Sequence, residues 1–260
     1  MYIFISIVLI ALLTWFLFRK KNKVIVLDET EKSAYKELLD AHIDYYQKLS
    51  DLEKSRFENL INEFLSGVTI EGVGTEVTAT DKVLIASSAI IPIFGLGDWQ
   101  YKNLTNIILY PDTFDKEFQF EGENRNILGM VGSGYMNGQM LLSRSALSKG
   151  FSASAGKENT AIHEFVHLLD NSDGTTDGVP ENLMAHQYVL PWLNMMHQEM
   201  HRIKEGKSDI NPYALTNEAE FLAVAAEYFF EKPEKFQHMH PRLYDQLSLI
   251  FNQKPVQNVG

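Results

Sequence analysis

The sequence predicts an α+β fold that is mainly helical, contains a small mixed sheet and follows one apolar N-terminal helix. Three observations lead to this prediction. Segments with helical periodicity outnumber short strand-like runs. Hydrophobic residues make up 45% and charged residues 22% of the 260-residue chain, which is an ordinary globular balance. The first 18 residues carry no charge and are followed at once by the basic run RKKNK.

Residues 1–23 are expected to anchor the chain in a membrane. Their uncharged run fits the roughly 17–25 residues that span a bilayer. Basic residues follow the apolar run instead of preceding it, unlike in a cleaved signal peptide. The positive-inside rule places RKKNK in the cytoplasm. We therefore expect a single-pass membrane protein with one cytoplasmic domain, residues 24–260. The alternative interpretation of the apolar run is a buried core helix.

Composition excludes several classes of site. The chain has no cysteine, so disulfides, thiolate metal sites and cysteine nucleophiles are excluded, and a transition-metal site must use His, Asp or Glu. Net charge is −11, and residues 24–260 carry 19 basic against 34 acidic side chains. Because such a surface repels phosphate backbones, we expect no nucleic-acid binding.

The first half of the domain contains two predicted helices. Residues 30–66 form a polar-faced helical stretch that includes a capping box at Ser50–Glu53 and is followed by Gly67 as a C-terminal cap. Residues 79–92 form a more buried helix that is expected to end at Pro92.

The remaining elements alternate short strands and helices. NIILYP at 106–111 and GQMLLS at 138–143 are strand candidates. Residues 171–182 are rich in Gly, Asp and Asn and predict a loop. Further helices are expected at 157–170, 184–204, 216–231 and 241–252.

The motif HEFVH within 157–170 predicts a metal site. His163 and His167 are four residues apart and therefore share one face of a helix. Glu164 lies beside the first histidine, where a carboxylate can take a proton from a metal-bound water. The alternative is a chance match on an ordinary helix.

A second histidine pair, in HQEMH at 197–201, serves as a comparison. Glu199 lies about 200° around the helix from His197 and cannot serve the same metal. We interpret this segment as a solvated helix face, and His238 and His240 as surface residues near a helix end.

The third metal ligand is expected in TNEAEFLAVAAEYFF at 216–230. Glu220 and Glu227 are seven residues apart and share a helix face, so spacing alone allows either as the ligand. Glu218 and Glu231 are interpreted as solvent-exposed charges at the helix ends.

HEFVHLLD followed downstream by NPYALTNEAEFLAVAAEYFF resembles the Mlc titration factor A family of zinc peptidases, and is also similar to the protease domain of anthrax lethal factor. The resemblance covers most of residues 45–255. It implies a zincin-like, gluzincin-type peptidase domain in which His163, His167 and Glu220 hold one Zn²⁺ ion. Endopeptidase and aminopeptidase action both remain open.

The resemblance also implies roles for neighbouring side chains. Glu164 would be the general base toward a zinc-activated water, and Tyr213 would stabilise the oxyanion of a peptide or protein substrate. Glu227 would then hydrogen-bond a ligand histidine. Asp170 either bonds His167 or merely ends its helix.

Two other functions compete with peptidase activity. Members of the family bind a glucose-regulated transcriptional repressor, so this chain could instead be a regulatory protein that sequesters such a repressor. A purely structural zinc domain is a third class, but a structural site has no use for a base such as Glu164. Strand 138–143 is either the edge strand that pairs with a peptide substrate or an internal strand.

Overall fold

A computed structural model of the chain describes residues 29–122, 125–132 and 137–257. The predicted anchor, residues 1–23, lies outside them. Within the described residues, no helix combines the length and apolarity that crossing a membrane requires.

The described residues form helices around a small sheet. The helices and strands in chain order are α1 (Glu29–His42), α2 (Asp44–Gln47), α3 (Asp51–Gly67), β1 (Thr69–Gly72), α4 (Ala79–Ile93), β2 (Asn106–Tyr110), β3 (Gly129–Val131), β4 (Gln139–Ser143), α5 (Arg144–Gly150), α6 (Thr160–Asp170), α7 (Val189–Lys204), α8 (Glu218–Glu231), α9 (Pro233–Met239) and α10 (Pro241–Ile250). Short 3-10 turns lie at Asn171–Asp173, Glu181–Leu183, His186–Tyr188, Pro212–Leu215 and Pro255–Gln257.

The strands form one mixed sheet in the order β1-β2-β4-β3. β1, β2 and β4 are parallel, and β3 is antiparallel to β4. The predicted α+β class with a small mixed sheet is therefore confirmed. β4 has a partner on each side, so the candidate strand 138–143 is internal and the edge beside α6 belongs to β3. β1 and β3 were not predicted, because four and three residues are too short to show a period.

The predicted helix 30–66 is wrong as one element, because it consists of α1, α2 and α3. Ile43 has an extended backbone and a fully buried side chain, which separates α1 from α2. Ser50 caps α3 through the predicted box, and its N–H donates to Glu53 at 3.0 Å. Gly67 is the last residue of α3 and not a left-handed cap, since the chain continues directly into an extended segment.

The buried helix α4 lies at the centre of the helical layer and packs against α1, α3, α5 and α6. Pro92 lies inside its last turn and does not end it, so the predicted boundary is one residue short. The carbonyl of Pro92 accepts a hydrogen bond from Gln253 at 3.2 Å, and that of Ile91 accepts one at 2.9 Å. The C-terminal segment thus satisfies carbonyls that the helix end leaves free.

Later boundaries differ by a few residues from the prediction. α6, α7 and α8 begin after short capped or 3-10 segments, and α10 ends at Ile250. α5 and α9 were not predicted. Each has only seven residues, which is too few to establish helical periodicity.

Asp81 joins the start of α4 to α5 and should be important for stability. Its carboxylate accepts from the Thr78 backbone at 2.8 Å and pairs with Arg144 through two bonds of 2.7 and 2.9 Å. The side chain of Asp81 is only 5% exposed, so replacement removes the carboxylate partner of Arg144 and leaves its hydrogen bonds to Thr75 and the Glu76 carbonyl. We expect Asp81→Ala to lower the free energy of unfolding by about 2–4 kcal/mol.

Glu53→Ala is the matched control, because Glu53 closes a similar box on an exposed helix start without a buried partner. It should cost about 1 kcal/mol or less. Chemical denaturation of both variants measures the difference, and equal losses would show that the Asp81–Arg144 pair is not important.

Candidate metal centre

Helix α6 carries the histidine pair, and His163 and Glu164 of this helix line an open cleft. Asn159 caps the helix, its side-chain oxygen accepting from the Ile162 N–H at 3.2 Å. Ile162, Phe165 and Val166 are buried and fix the orientation of α6 against the core. The predicted helix is confirmed, although it begins at Thr160 instead of residue 157.

His163, His167 and Glu220 meet at one point. The two imidazole Nε2 atoms are 3.0 Å apart. Glu220 Oε2 lies 2.9 Å from His163 Nε2 and 3.5 Å from His167 Nε2. A tetrahedral zinc ion separates its nitrogen and oxygen ligands by roughly 3.3 Å. The three side chains therefore have the spacing of ligands to one small cation, and they form the candidate metal cluster among the described residues.

Glu227 lies behind the cluster. Its Oε1 accepts from His163 Nδ1 at 2.7 Å, and its Oε2 accepts from the backbone N–H of Asn159 at 2.6 Å. A protonated Nδ1 leaves the lone pair of His163 on Nε2, the atom that faces Glu220. Spacing could not distinguish Glu220 from Glu227; the structure places Glu220 at the open side and Glu227 at the buried side of the same ring.

The cluster attracts positive charge. Burial lowers the pKa of His163, but hydrogen bonds with Glu220 and Glu227 outweigh burial and raise it above its ordinary value. Burial raises the pKa of Glu220, but hydrogen bonds with the two imidazoles outweigh burial and lower this pKa below its ordinary value. The same position between imidazole and carboxylate suits a proton or a metal cation, since both neutralise Glu220.

Glu164 is buried beside the cluster, with 7% of its surface exposed. Burial raises the pKa of its carboxyl, and the nearby histidines oppose that shift. Gly129 of the edge strand β3 leaves the room it needs, because a Cβ at Gly129 would lie 2.9 Å from Glu164 Cγ. The strand edge and the candidate base are thus in direct contact.

Tyr213 lies on the 3-10 turn Pro212–Leu215, on the other side of the cluster. Its ring centroid is 6.0 Å from that of His163, and 54% of its surface is exposed. Partial burial, then the carboxylates of Glu220, Glu164 and Glu227, raise its pKa. The phenol therefore stays protonated and can donate a hydrogen bond into the cleft.

Asp170 holds the loop after α6 and does not bond the histidine. Its Oδ2 accepts from the Gly178 N–H at 2.8 Å, and its Oδ1 is buried without a partner. His167 Nδ1 is also buried without a partner. Of the two alternatives for Asp170, the bond to His167 is not formed, and the side chain does more than end the helix because it accepts from Gly178.

Gly178, in the predicted loop 171–182, allows the two helices of the cluster to approach each other closely. Its φ of +77° suits glycine, and a Cβ there would lie 2.3 Å from the Glu218 carbonyl oxygen. Its own carbonyl accepts from Trp192 Nε1 at 2.7 Å. Glycine at this position permits close approach of the start of α8 to the end of α6.

Part of the interpretation of the other histidines is wrong. His240 and Glu199 are buried, with 5% and 8% of their surfaces exposed, instead of lying on the solvated surface. His240 Nε2 lies 2.8 Å from Asp209 Oδ1, and its Nδ1 lies 3.2 Å from Glu199. Tertiary contact with a loop produces this burial, which helical spacing cannot reveal. His197 and His238 are exposed, as predicted.

The helix-end glutamates of α8 also differ from each other. Glu218 is 45% exposed and pairs with His197 at 3.2 Å, as an exposed charge would. Glu231 is half-buried and accepts from Asn159 Nδ2 at 2.9 Å, so its assignment to solvent is wrong. Burial raises the pKa of Glu231 to about 7.

A cleft of about 1290 Å³ is lined by His163 and Glu164 of α6. Gly129, Tyr213, Lys157 and Asp209 also line it. A volume of this size accommodates several residues of an extended chain.

Comparison with known proteins identifies the family. The sequence profile described as glucose-regulated metallo-peptidase M90 matches residues 16–252. The chain belongs to this family. The site just described is therefore the candidate metal centre of a metallopeptidase family member.

Two relatives bear the name of the family that the sequence motifs resemble. Mlc titration factor A of Klebsiella pneumoniae (strain 342) is 28% identical over 225 residues, which cover 81% of this chain and 83% of that protein. Mlc titration factor A of Escherichia coli O1:K1 is 27% identical over the same length. An uncharacterized protein of Synechocystis sp. is 28% identical over 252 residues, covering 89% of this chain and 91% of its own.

Glu231 predicts a measurable pH dependence of stability. Folding raises the pKa of Glu231 from 4.5 to about 7, so the folded protein keeps this proton up to a higher pH than the unfolded chain does. Stability is therefore lost as pH rises through this window. Glu231→Gln keeps an acceptor for Asn159 and removes the ionisation, so it should raise Tm by about 2–4 °C above pH 7.

The same variant should have little effect at about pH 3.5, roughly one unit below the ordinary pKa of 4.5, where Glu231 is largely protonated in both states. Glu234→Gln on the neighbouring helix is the control, since that side chain is 60% exposed. Thermal unfolding at both pH values tests the prediction, which fails when the two variants shift Tm equally.

Proposed function

We propose that this M90 family member is a zinc-dependent peptidase with a zincin-like catalytic domain. The observation that carries the proposal is the convergence of His163 Nε2, His167 Nε2 and Glu220 Oε2 within 3.5 Å of one another. Two imidazoles and one carboxylate are a ligand set typical of catalytic zinc, which retains an open position for water. The donor set therefore fits zinc.

The residues around the cluster have the chemistry that peptide hydrolysis requires. Zinc, when bound, would lower the pKa of a water molecule and polarise the scissile carbonyl. Glu164 accepts the proton of the attacking water and passes it to the leaving amine. Its raised pKa brings the base closer to the working pH, which favours both transfers.

Tyr213 and Glu227 complete the proposed mechanism. The protonated phenol of Tyr213 donates a hydrogen bond to the negative charge that develops on the carbonyl oxygen. Glu227 accepts from His163 Nδ1 at 2.7 Å and thereby keeps Nε2 directed at the metal position.

The edge strand β3 supports a peptide or protein substrate. β4 pairs with one side of β3, β3 is the edge strand of the sheet, and Gly129 of β3 lines the cleft and lies against Glu164. An extended substrate can pair with free backbone groups on such an edge. In the proposed binding mode, the scissile bond would lie between Glu164 and Tyr213.

Attachment of the domain to a membrane forms part of the proposal. Its support is the uncharged run of residues 1–18 followed by RKKNK. The proposed catalytic domain, residues 24–260, then faces the cytoplasm, where its substrate must also be found.

A regulatory function is the second candidate. Two relatives bear the name Mlc titration factor A, which indicates titration of the protein Mlc. This chain would correspondingly sequester a transcriptional repressor, with or without peptide cleavage.

Glu164→Gln separates catalysis from metal binding. The variant should retain one zinc ion per chain and lose at least about 100-fold in kcat, because the amide cannot accept the water proton. His163→Ala should lose both zinc and turnover. Metal analysis and cleavage of a broad peptide panel by the full-length chain provide the two measurements.

Absence of both zinc and cleavage in the unaltered protein would refute the peptidase proposal. A cellular effect that survives Glu164→Gln would instead favour the regulatory candidate, because binding does not require the base.

Glu220 and Glu227 should differ in how strongly they affect zinc. Glu220→Ala removes a direct ligand and should weaken zinc affinity more than Glu227→Ala, which should cost about 10–100-fold. His197→Ala is the control, since its ring pairs only with Glu218 at the surface. Competition with a chelator measures all three, and a larger loss for Glu227→Ala would reverse the assignment.

A further inference from the structure

A second polar cluster lines the same cleft, and its central residue belongs to the segment that leads to Tyr213. Asp209 is its centre. Asp209 Oδ2 accepts from Lys157 Nζ at 2.7 Å and from the Tyr228 hydroxyl at 2.8 Å. His240 Nε2 lies 2.8 Å from the other carboxylate oxygen. These partners come from three different parts of the chain.

Lys157 connects Asp209 to the start of the metal helix. It lies three residues before α6 and also donates to the backbone carbonyl of Asp209. Its ammonium group lies 4.4 Å from the centre of the Tyr228 ring. Lys157 thus holds both the side chain and the backbone of residue 209.

A second tie lies beside the first. Asn211 Nδ2 donates to Glu158 Oε1 at 3.0 Å. Asn211 Oδ1 accepts from the Tyr213 backbone N–H at 3.0 Å. We call the pairs Lys157–Asp209 and Glu158–Asn211 the clasp. It joins two consecutive residues before α6 to the segment before Tyr213.

Tyr213 has little packing of its own to fix it. More than half of its surface is exposed, whereas Ala214 beside it is fully buried. Its backbone is therefore held by Ala214 on one side and by the clasp on the other. The Tyr213 carbonyl also accepts from the Thr216 hydroxyl at 2.8 Å, so the clasp restrains the N-terminal side of the turn and Thr216 its C-terminal side.

The clasp does more than add stability. Lys157 and Asp209 are each about a quarter exposed, so their ion pair contributes to the free energy of folding, but it also joins two segments that border the same cleft. Polar ties of fixed geometry select one arrangement of a loop. In the clasp, that arrangement sets the distance between the metal helix and the tyrosine.

We infer that Lys157 and Asp209 are positioning residues that hold Tyr213 over the metal centre. This inference rests on the proposed peptidase function. They do not contact the reacting atoms. Their effect on catalysis must therefore pass through the phenol of Tyr213.

A double-mutant cycle tests this inference on the full-length, zinc-loaded chain with a fluorogenic peptide that the unaltered chain cleaves. Tyr213→Phe should lower kcat by roughly 100-fold. Lys157→Met should lower kcat by about tenfold, with zinc content and KM nearly unchanged. In the Tyr213→Phe background, Lys157→Met should have almost no further effect.

Lys157→Arg should restore most of the activity, because it keeps a cation at the same place. Lys235→Met is the matched control: Lys235 lies 3.1 Å from the same Asp209 oxygen but is 55% exposed and comes from α9, outside the clasp. It should leave kcat unchanged. An equal loss from Lys157→Met with and without the tyrosine hydroxyl would overturn the inference.

Hydrogen exchange of the same variants tests the clasp without a substrate. Lys157→Met should accelerate exchange of backbone amides in residues 205–216 and leave those of α7 unchanged. Unchanged exchange in 205–216 would overturn the inference. If the unaltered protein neither binds zinc nor cleaves peptides, the peptidase proposal is refuted. The exchange result then decides alone whether the clasp restrains residues 205–216.

Discussion

The imidazole of His163 between two carboxylates of one helix is the interaction on which the site depends. Glu220 meets Nε2 at 2.9 Å and Glu227 meets Nδ1 at 2.7 Å. Both glutamates lie on one face of α8, two turns apart, and α6 presents the ring between them. This arrangement aligns the helices, fixes the proton on the buried side of the ring and leaves the open nitrogen for a cation. The second histidine and the base then follow from the helical spacing of HEFVH.

The surrounding scaffold controls how closely the two helices approach each other. Asn159 caps α6 and also contacts Glu227 and Glu231 of α8, so one residue fixes the start of the metal helix against the other. At the opposite end, Gly178 permits contact that any side chain would block. The clasp restrains the 3-10 turn that carries Tyr213 in a similar way. Most of these contacts join segments that are distant in the chain.

The local features could be predicted from the sequence, whereas most long-range contacts could not. The HEFVH helix and the Ser50–Glu53 capping box depend on spacing within one segment, and the structure confirms both. The choice between Glu220 and Glu227 needed family resemblance, because both share a face. The burial of His240 and the role of Asp209 depend on tertiary contacts that leave no periodic pattern. β3 was missed for a related reason, since three residues carry no alternation.

X-ray diffraction at the zinc absorption edge, from crystals of the zinc-loaded full-length chain, locates the metal directly. We expect one anomalous peak within roughly 2.0–2.2 Å of His163 Nε2, His167 Nε2 and a Glu220 oxygen, with Glu227 remaining on Nδ1. A zinc ion bound elsewhere, or one bound by the histidines while the Glu220 carboxylate lies out of reach and no other acid replaces it, would refute the proposed metal centre.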